Sequence, residues 1–233
     1  MPCIQNQLRV YRRDPEFDEN RTVMQFRLTY EGPLKPSGNN MPNSTHKHDI
    51  RKAFHPQLRQ LWTTNANVRS LAETPSSFFT NSAPFMEPPP PNTPSLIEYL
   101  ADNYPLQDYR FIPLVTETLS LWCGLDILFL RASSPGHVFH AGDIDNRIKT
   151  LFDALKRPTQ LTDLGPSYAP PSANEKPFFV LLEDDSLVAK LTVETDTMLE
   201  PLIGGIPADS DARLIITVTL RPNVVTPLNI PFT

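Results

Sequence analysis

Gly142-Asp143-Ile144-Asp145-Asn146-Arg147-Ile148-Lys149 is the stretch around which the chain is organised, and it opens a predicted helix that runs to about Arg157. An apolar stripe at helical spacing predicts the buried face of this helix, formed by Ile148, Leu151, Phe152 and Leu155. Two aspartates separated by one residue lie on the same side of an extended chain, and Asp145 or Asn146 can cap the first turn. The stretch therefore predicts a helix anchored by its apolar face, with two carboxylates at its start.

A second acidic cluster, Glu183-Asp184-Asp185, precedes a predicted strand at Ser186 to Thr195. If that strand packs on the helix, the two acidic clusters converge, and Lys149 lies one turn after Asp145 on the same side. Several carboxylates beside a lysine suit Mg²⁺ or Mn²⁺, which prefer oxygen ligands, better than zinc. Aspartate is also common at helix caps and turns, so a purely structural role stays open for either cluster.

The chain contains Asp-Ile-Asp-Asn-x-x-Lys at 143–149, Phe-Asp-Ala-Leu at 152–155 and Glu-Asp-Asp-Ser-x-Val at 183–188. These three motifs resemble those of the RusA family of Holliday junction resolvases. The loop Leu34-Lys35-Pro36-Ser37-Gly38-Asn39-Asn40 is similar to a Pro-x-Ser-x-Asn loop of that family. The resemblance covers about residues 23–62 and 119–221, and residues 63–112 stay unmatched.

The resemblance implies a Mg²⁺-dependent endonuclease, with Mn²⁺ as a possible substitute, that works as a homodimer on four-way DNA junctions. The implied catalytic residues are Asp143, Asp145, Asp185 and Lys149, and the implied metal ligands are the three aspartates with Asp184. The implied DNA-binding residues are Lys35, Asn39, Asn40, Lys47, Arg51, Lys52 and Arg147. His137 and His140 stand where the family often has basic residues, and either could instead join the metal site or shuttle protons.

Charge is unevenly distributed along the 233 residues, whose net charge is −5. Residues 1–72 hold 11 Lys and Arg against 6 Asp and Glu, whereas residues 73–233 hold 10 against 20. The overall acidity is atypical of a general DNA-binding protein, but the basic first third could contact phosphates. No apolar run is long enough to span a membrane, and two cysteines without a metal spacing favour a reducing cytoplasm.

Apolar periodicity along the remaining chain predicts one α/β domain, in part α+β-like, with a mixed sheet and two main helices packed on it. The predicted strands are Val23–Tyr30, Leu119–Arg131 and Asp211–Arg221; the predicted helices besides the central one are Asp49–Trp62 and a short one at Ser95–Tyr104. With 26 prolines in the chain, residues 63–112 are interpreted as an inserted loop region, and residues 222–233 as a surface tail.

Other functions remain open on the same residues. One is a metal-dependent nuclease that acts on other branched DNA or on RNA. Another is a non-catalytic protein that binds nucleic acid or supports an assembly. The Pro-rich region within 63–112 could also contact a protein partner.

Overall fold

The computed structural model describes residues 24–37, 43–80, 88–132, 143–166, 168–200, 209–226 and 229–232. The strands are β1 (Gln25–Pro33), β2 (Pro105–Leu106), β3 (Tyr109–Val115), β4 (Leu121–Arg131), β5 (Phe178–Leu182), β6 (Val188–Thr197) and β7 (Asp211–Pro222). The helices are α1 (Ser44–Thr64), α2 (Ala66–Glu73), the single turn α3 (Ser77–Thr80), α4 (Leu96–Asn103) and α5 (Asp143–Leu155). Together they form a single α/β domain with two mixed sheets.

The larger sheet has four strands in the order β1-β7-β4-β6. Strand β7 pairs antiparallel with both β1 and β4, and β6 adds parallel to the other side of β4. Its inner face is apolar because alternate residues of each strand point to the same side of a sheet. Those of β7 are Leu214, Ile216, Val218 and Leu220, all fully buried.

The smaller sheet has three strands in the order β2-β3-β5 and corrects the interpretation of residues 63–112. Strand β3 pairs parallel with β5, and nearly every residue of both strands is buried, as parallel strands usually are. Residues 63–112 therefore contribute a core strand and helices α2 and α4, besides irregular segments. The expected single mixed sheet is also wrong, because the chain divides its strands between two sheets.

Most of the strands expected from alternation are confirmed, with bounds shifted by about two residues at their ends. Helix α4 confirms the short helix expected near Ser95, whose hydroxyl side chain forms a capping box with Glu98. Helix α1 begins at Ser44, five residues before the predicted start at Asp49, so it also includes His46, Lys47 and His48.

Helix α1 links the parts of the domain. It contacts β1, β5, α2 and α5, and its buried side chains include Ile50, Phe54, Leu58 and Trp62. These side chains belong to one core cluster that also holds the inner faces of α5 and of the four-stranded sheet. A smaller cluster around Tyr109 and Phe178 fills the other side of the second sheet.

Among the described residues, no helix combines the length and the apolar character needed to cross a membrane. Cys123 is buried on β4 and is not part of a disulfide.

Two buried histidines of α1 are held in the neutral form. His48 is 3% exposed; Arg51 Nη1 lies 3.2 Å from its Nδ1, and Tyr109 Oη lies 3.2 Å from its Nε2. Because an arginine only donates hydrogen bonds, Nδ1 must accept, so the ring carries its proton on Nε2. Burial, followed by the charges of Arg51 and Lys52, lowers the pKa of His48 to about 3. His55 accepts from the Phe179 amide, and burial lowers its pKa as well.

The neutral histidines predict a loss of stability in mild acid. The unfolded chain takes up a proton at each histidine below about pH 6.5, while folded His48 does not until about pH 3. The free energy of unfolding should therefore fall as the pH drops from about 6.5, and His48 alone should lower it by about 3 kcal/mol at pH 4.5. Urea denaturation at several pH values measures this loss, which His48→Gln should reduce; an unchanged pH dependence in that variant would contradict the assignment.

Candidate functional site

Helix α5 begins at Asp143, so both aspartates of the opening motif lie within the helix. Positions 143 and 145 are then about 200° apart around the helix axis, because each residue advances about 100°. The expected extended segment, with both aspartates on one side, is therefore wrong. The side chain of Asp143 lies outside the described part of the chain, and so do His137, His140, Asn39 and Asn40.

One face of α5 turns away from the core and carries alternating charges. Asp145 and Lys149 are exposed, and Asp153 and Lys156 are about one-quarter exposed further along the same face. Phe152 lies between them, half-buried and packed against the core cluster. The predicted placement of Lys149 beside Asp145 agrees with this face, since residues four apart are neighbours on a helix. We call these five residues the outer stripe of α5.

The second acidic cluster follows β5 and lies at the other end of α5. Lys156 Nζ donates to Asp185 Oδ2 at 3.0 Å, and the amide of Arg157 donates to the Leu182 carbonyl at 2.9 Å. Asp184 is exposed and caps the 3₁₀ turn at Asp185–Leu187 by accepting from the amide of Ser186. That hydrogen bonding lowers the pKa of Asp184. The cluster is thus fixed to the C-terminal end of the helix.

Lys156 is the centre of an ion-pair network at this end. Its Nζ lies 3.6 Å from Asp153 Oδ1, and Lys47 Nζ lies 2.7 Å from Asp153 Oδ2. Burial alone would lower the pKa of Lys156, but the hydrogen bond and charge of Asp185, with the charges of Asp153 and Asp184, raise it overall. The lysine therefore stays charged and holds these carboxylates in place.

A cleft of about 270 Å³ adjoins this network, between the start of α1 and the end of α5. Its lining includes the basic residues Lys47, Arg51, Lys156 and Arg157, together with Asp153, Asp163 and Asp184. Asp163 already accepts hydrogen bonds from the amides of Thr159 and Gln160, so its carboxylate stabilises the local turn. The cleft is polar and could admit a phosphate-sized group.

Asp145 and Asp185, the ligands that the structure describes in the two predicted halves of the metal site, lie at opposite ends of α5. Asp145 is at the first turn of α5 and Asp185 is beyond its last turn, so about 15 Å of helix separates them. In the part of the chain that the structure describes, no group of three or more possible metal ligands is present. One copy therefore offers oxygen ligands of the right type at two places, without assembling a complete site from its described residues.

The predicted DNA-binding residues divide between surface and core. Lys35 is exposed, and Lys52 is partly exposed at 3.8 Å from Glu175. Arg147 is buried and donates to the Asp209 carbonyl at 2.9 Å, and Arg51 is also buried. The buried positions of Arg147 and Arg51 do not support contact with DNA. The sequence suggested such contact because a basic residue on an amphipathic helix is usually solvent-exposed.

Arg51 has a structural function that sequence reasoning missed. Its Nη2 donates to the Asp153 carbonyl at 2.7 Å and its Nε donates to the Lys156 carbonyl at 3.1 Å. These carbonyls belong to the end of α5, where the backbone has no helical partners. Burial lowers the pKa of Arg51 to about 10, so it remains charged at neutral pH. Nothing in the local sequence indicates this contact, because the residues are about one hundred positions apart.

Comparison with protein-family models, with curated proteins and with solved structures finds no match for this chain. The resemblance to the RusA family therefore rests on the motifs alone.

Proposed function

We propose that this protein is a Mg²⁺-dependent endonuclease that cleaves branched DNA, with the four-way junction as its substrate and Mn²⁺ as a possible replacement ion. The observation that carries the proposal is the exposure of Asp145 and Lys149 side by side on α5. An isolated pair of this kind does little for stability, since exposed ion pairs contribute about 0.5 kcal/mol. The accessible carboxylate and lysine are suited instead to a charged substrate.

The other carboxylates support the same chemistry. Asp185 has a side chain that is 43% exposed, and Asp184 is exposed beside it. A hard divalent cation bound by such carboxylates supplies charge neutralisation at a phosphodiester. In this chain, Lys149 would hold a non-bridging phosphate oxygen as a point charge, and Lys156 would keep Asp185 oriented.

Basic residues near the start of α1 would hold the DNA backbone. Lys35 lies on the loop after β1, where its amide donates to His46 Nε2 at 3.2 Å. Lys52 lies on α1, within the first third of the chain, which has a net positive charge. These residues would contact phosphates without reading the base sequence, which fits recognition of DNA shape.

The separation of the two acidic clusters favours one competing function, a non-catalytic protein that binds branched nucleic acid. A nuclease with a different substrate, such as a flap, a replication fork or RNA, is the other alternative. Both alternatives keep the basic surface; the first differs from the proposal because it lacks the reaction, and the second differs in its substrate.

Cleavage of labelled synthetic DNA tests the proposal. We expect paired symmetric nicks in a four-way junction with Mg²⁺ or Mn²⁺, none in EDTA, and at least about tenfold less cutting of duplex and single strands. Equal cleavage of flaps or RNA would move the function to a general structure-specific nuclease. Junction binding without cleavage in any divalent ion would establish the binding protein instead.

A further inference from the structure

Arg157, just beyond the end of α5, has a half-buried guanidinium that forms no hydrogen bond or ion pair with any residue that the structure describes. Its Nε is buried without a partner, and the guanidinium carbon lies 4.5 Å from the centre of the Tyr104 ring. A guanidinium carries several donors, and buried donors in proteins are normally bonded to acceptors. The side chain is therefore suited to a ligand that supplies oxygen atoms.

Arg157 lines the cleft of about 270 Å³ between the start of α1 and the end of α5. Three further basic residues line the same cleft: Lys47, Arg51 and Lys156. Arg51 is buried and donates to backbone carbonyls at the end of α5, so the negative end of that helix is already neutralised there. Ser44 adds a hydroxyl group that has no partner among the described residues.

The carboxylates of the cleft already have partners within the protein. Asp153 Oδ2 lies 2.7 Å from Lys47 Nζ, and its Oδ1 lies 3.6 Å from Lys156 Nζ. Asp163 and Asp184 accept hydrogen bonds from backbone amides of their own turns. Four basic residues thus face three carboxylates, and neither arginine forms an ion pair within the described part of the chain. The cleft retains positive charge that an anion can neutralise.

The start of α1 adds to this positive charge. The helix has 21 residues, and the side chain of Asn43 forms no capping hydrogen bond with its first turn. Uncapped amides at the start of a helix, together with the helix dipole, favour a bound anion. Ser44, the first residue of the helix, is part of the cleft lining. The helix start therefore reinforces the charge of the basic side chains.

We propose that this cleft binds a terminal phosphate group, held by Arg157, Lys47 and Lys156. A phosphate offers oxygen acceptors both to a planar guanidinium and to ammonium groups. The volume of about 270 Å³ is close to the lower end of small-molecule pockets, which is about 300 Å³. A continuous nucleic-acid backbone suits the cleft less well, because its flanking phosphates would approach the carboxylates of Asp163 and Asp184.

Two sources share this chemistry. One is free phosphate or a small phosphorylated molecule, and the other is the phosphate at the end of a DNA strand. The site does not depend on the proposed nuclease, whose exposed Asp145 and Lys149 lie nearer the start of α5. Binding can therefore be measured in EDTA, where the proposed reaction does not occur.

Calorimetric titration with inorganic phosphate, at constant ionic strength, tests the site. Arg157→Gln should weaken binding at least about tenfold, because it removes charge-assisted hydrogen bonds. Ser44→Asp should weaken it by a similar factor, about tenfold, because it places a negative charge in the cleft. This second variant should keep its melting temperature, since an acidic residue is favourable at the start of a helix.

Arg69→Gln is the matched control. Arg69 is exposed on α2 and does not line the cleft, and its replacement changes the net charge as Arg157→Gln does. Saturable binding by the wild type and by this control, with weakened binding in both cleft variants, supports the proposal. Absence of saturable binding in the wild type overturns it, and so does equal affinity in all four proteins.

Short single-stranded DNA distinguishes the two sources. A strand with a 5′-phosphate should bind at least about tenfold more tightly than the same strand with a 5′-hydroxyl if the cleft holds a strand end, and Arg157→Gln should remove the difference. Equal affinity of the two strands, with phosphate binding retained, supports the site and assigns it to free phosphate or a small phosphorylated molecule. Loss of junction cleavage with phosphate binding intact would reject the nuclease and keep this site.

Discussion

Asp145→Asn is expected to lower the rate of junction cleavage by about 10²–10³-fold, because it removes a carboxylate that would hold the divalent cation, and the cation would neutralise charge at the reacting phosphodiester. The exposed side chain makes no described hydrogen bond that folding needs, so the melting temperature should change by less than about 2 °C. Cleavage would be followed as single turnovers with excess enzyme, and junction affinity would be measured separately in the absence of divalent ions.

Asp102→Asn is the matched control for this experiment. Asp102 is exposed on α4, away from α5, and its replacement changes the net charge by the same amount. Its cleavage rate should stay at the wild-type value. Equal loss of activity in both variants would mean that net charge, and not the site, governs cleavage. A folded Asp145→Asn protein with the wild-type rate would show that Asp145 takes no part in the reaction.

Arg51→Ala is expected to destabilise the domain by about 3 kcal/mol or more, because it leaves buried carbonyls at the end of α5 without donors. The guanidinium joins α1 to the Asp153 and Lys156 carbonyls, and it also donates to His48. Arg51→Lys should recover less than half of the loss, since one ammonium cannot reproduce the geometry of three nitrogen donors. Urea denaturation followed by the fluorescence of buried Trp62 measures the effect.

Arg59→Ala provides the comparison on the same helix. Arg59 is exposed and makes a hydrogen bond of 3.1 Å to the Asn174 carbonyl, so its loss should cost about 0.5 kcal/mol. A similar small cost for Arg51→Ala would mean that the end of α5 is satisfied in another way.

The local pattern of apolar residues was sufficient to predict the strands of the larger sheet and the existence of α1 and α5. Alternation along Leu121–Arg131 and Asp211–Pro222 reflects one buried face, which a single sequence displays directly. Tyr109–Val115 was missed because a strand buried on both faces does not alternate, and Pro113 within it further obscured the pattern. The division into two sheets depends on pairings between distant segments, which periodicity does not contain.

The candidate site was predictable in its residue types and not in its geometry. Exposure of Asp145 and Lys149 on one face followed from helical spacing. The position of Asp185 did not, because it depends on where β5 enters the smaller sheet relative to α5. A sequence shows that two acidic clusters exist, but the path of the chain between them decides whether they meet.

Strand β7, placed inside the larger sheet, has a consequence for synthesis of the protein. It lies between β1 and β4, yet among the described strands it is the last to leave the ribosome. Until Asp211–Pro222 has emerged, β1 has no partner in that sheet. The apolar side chains of β1 are then exposed or are shielded by chaperones. Pairing of segments so far apart along the chain also favours slow folding. The larger sheet is therefore expected to form only once Asp211–Pro222 is available to pair, after all its other strands have been synthesised.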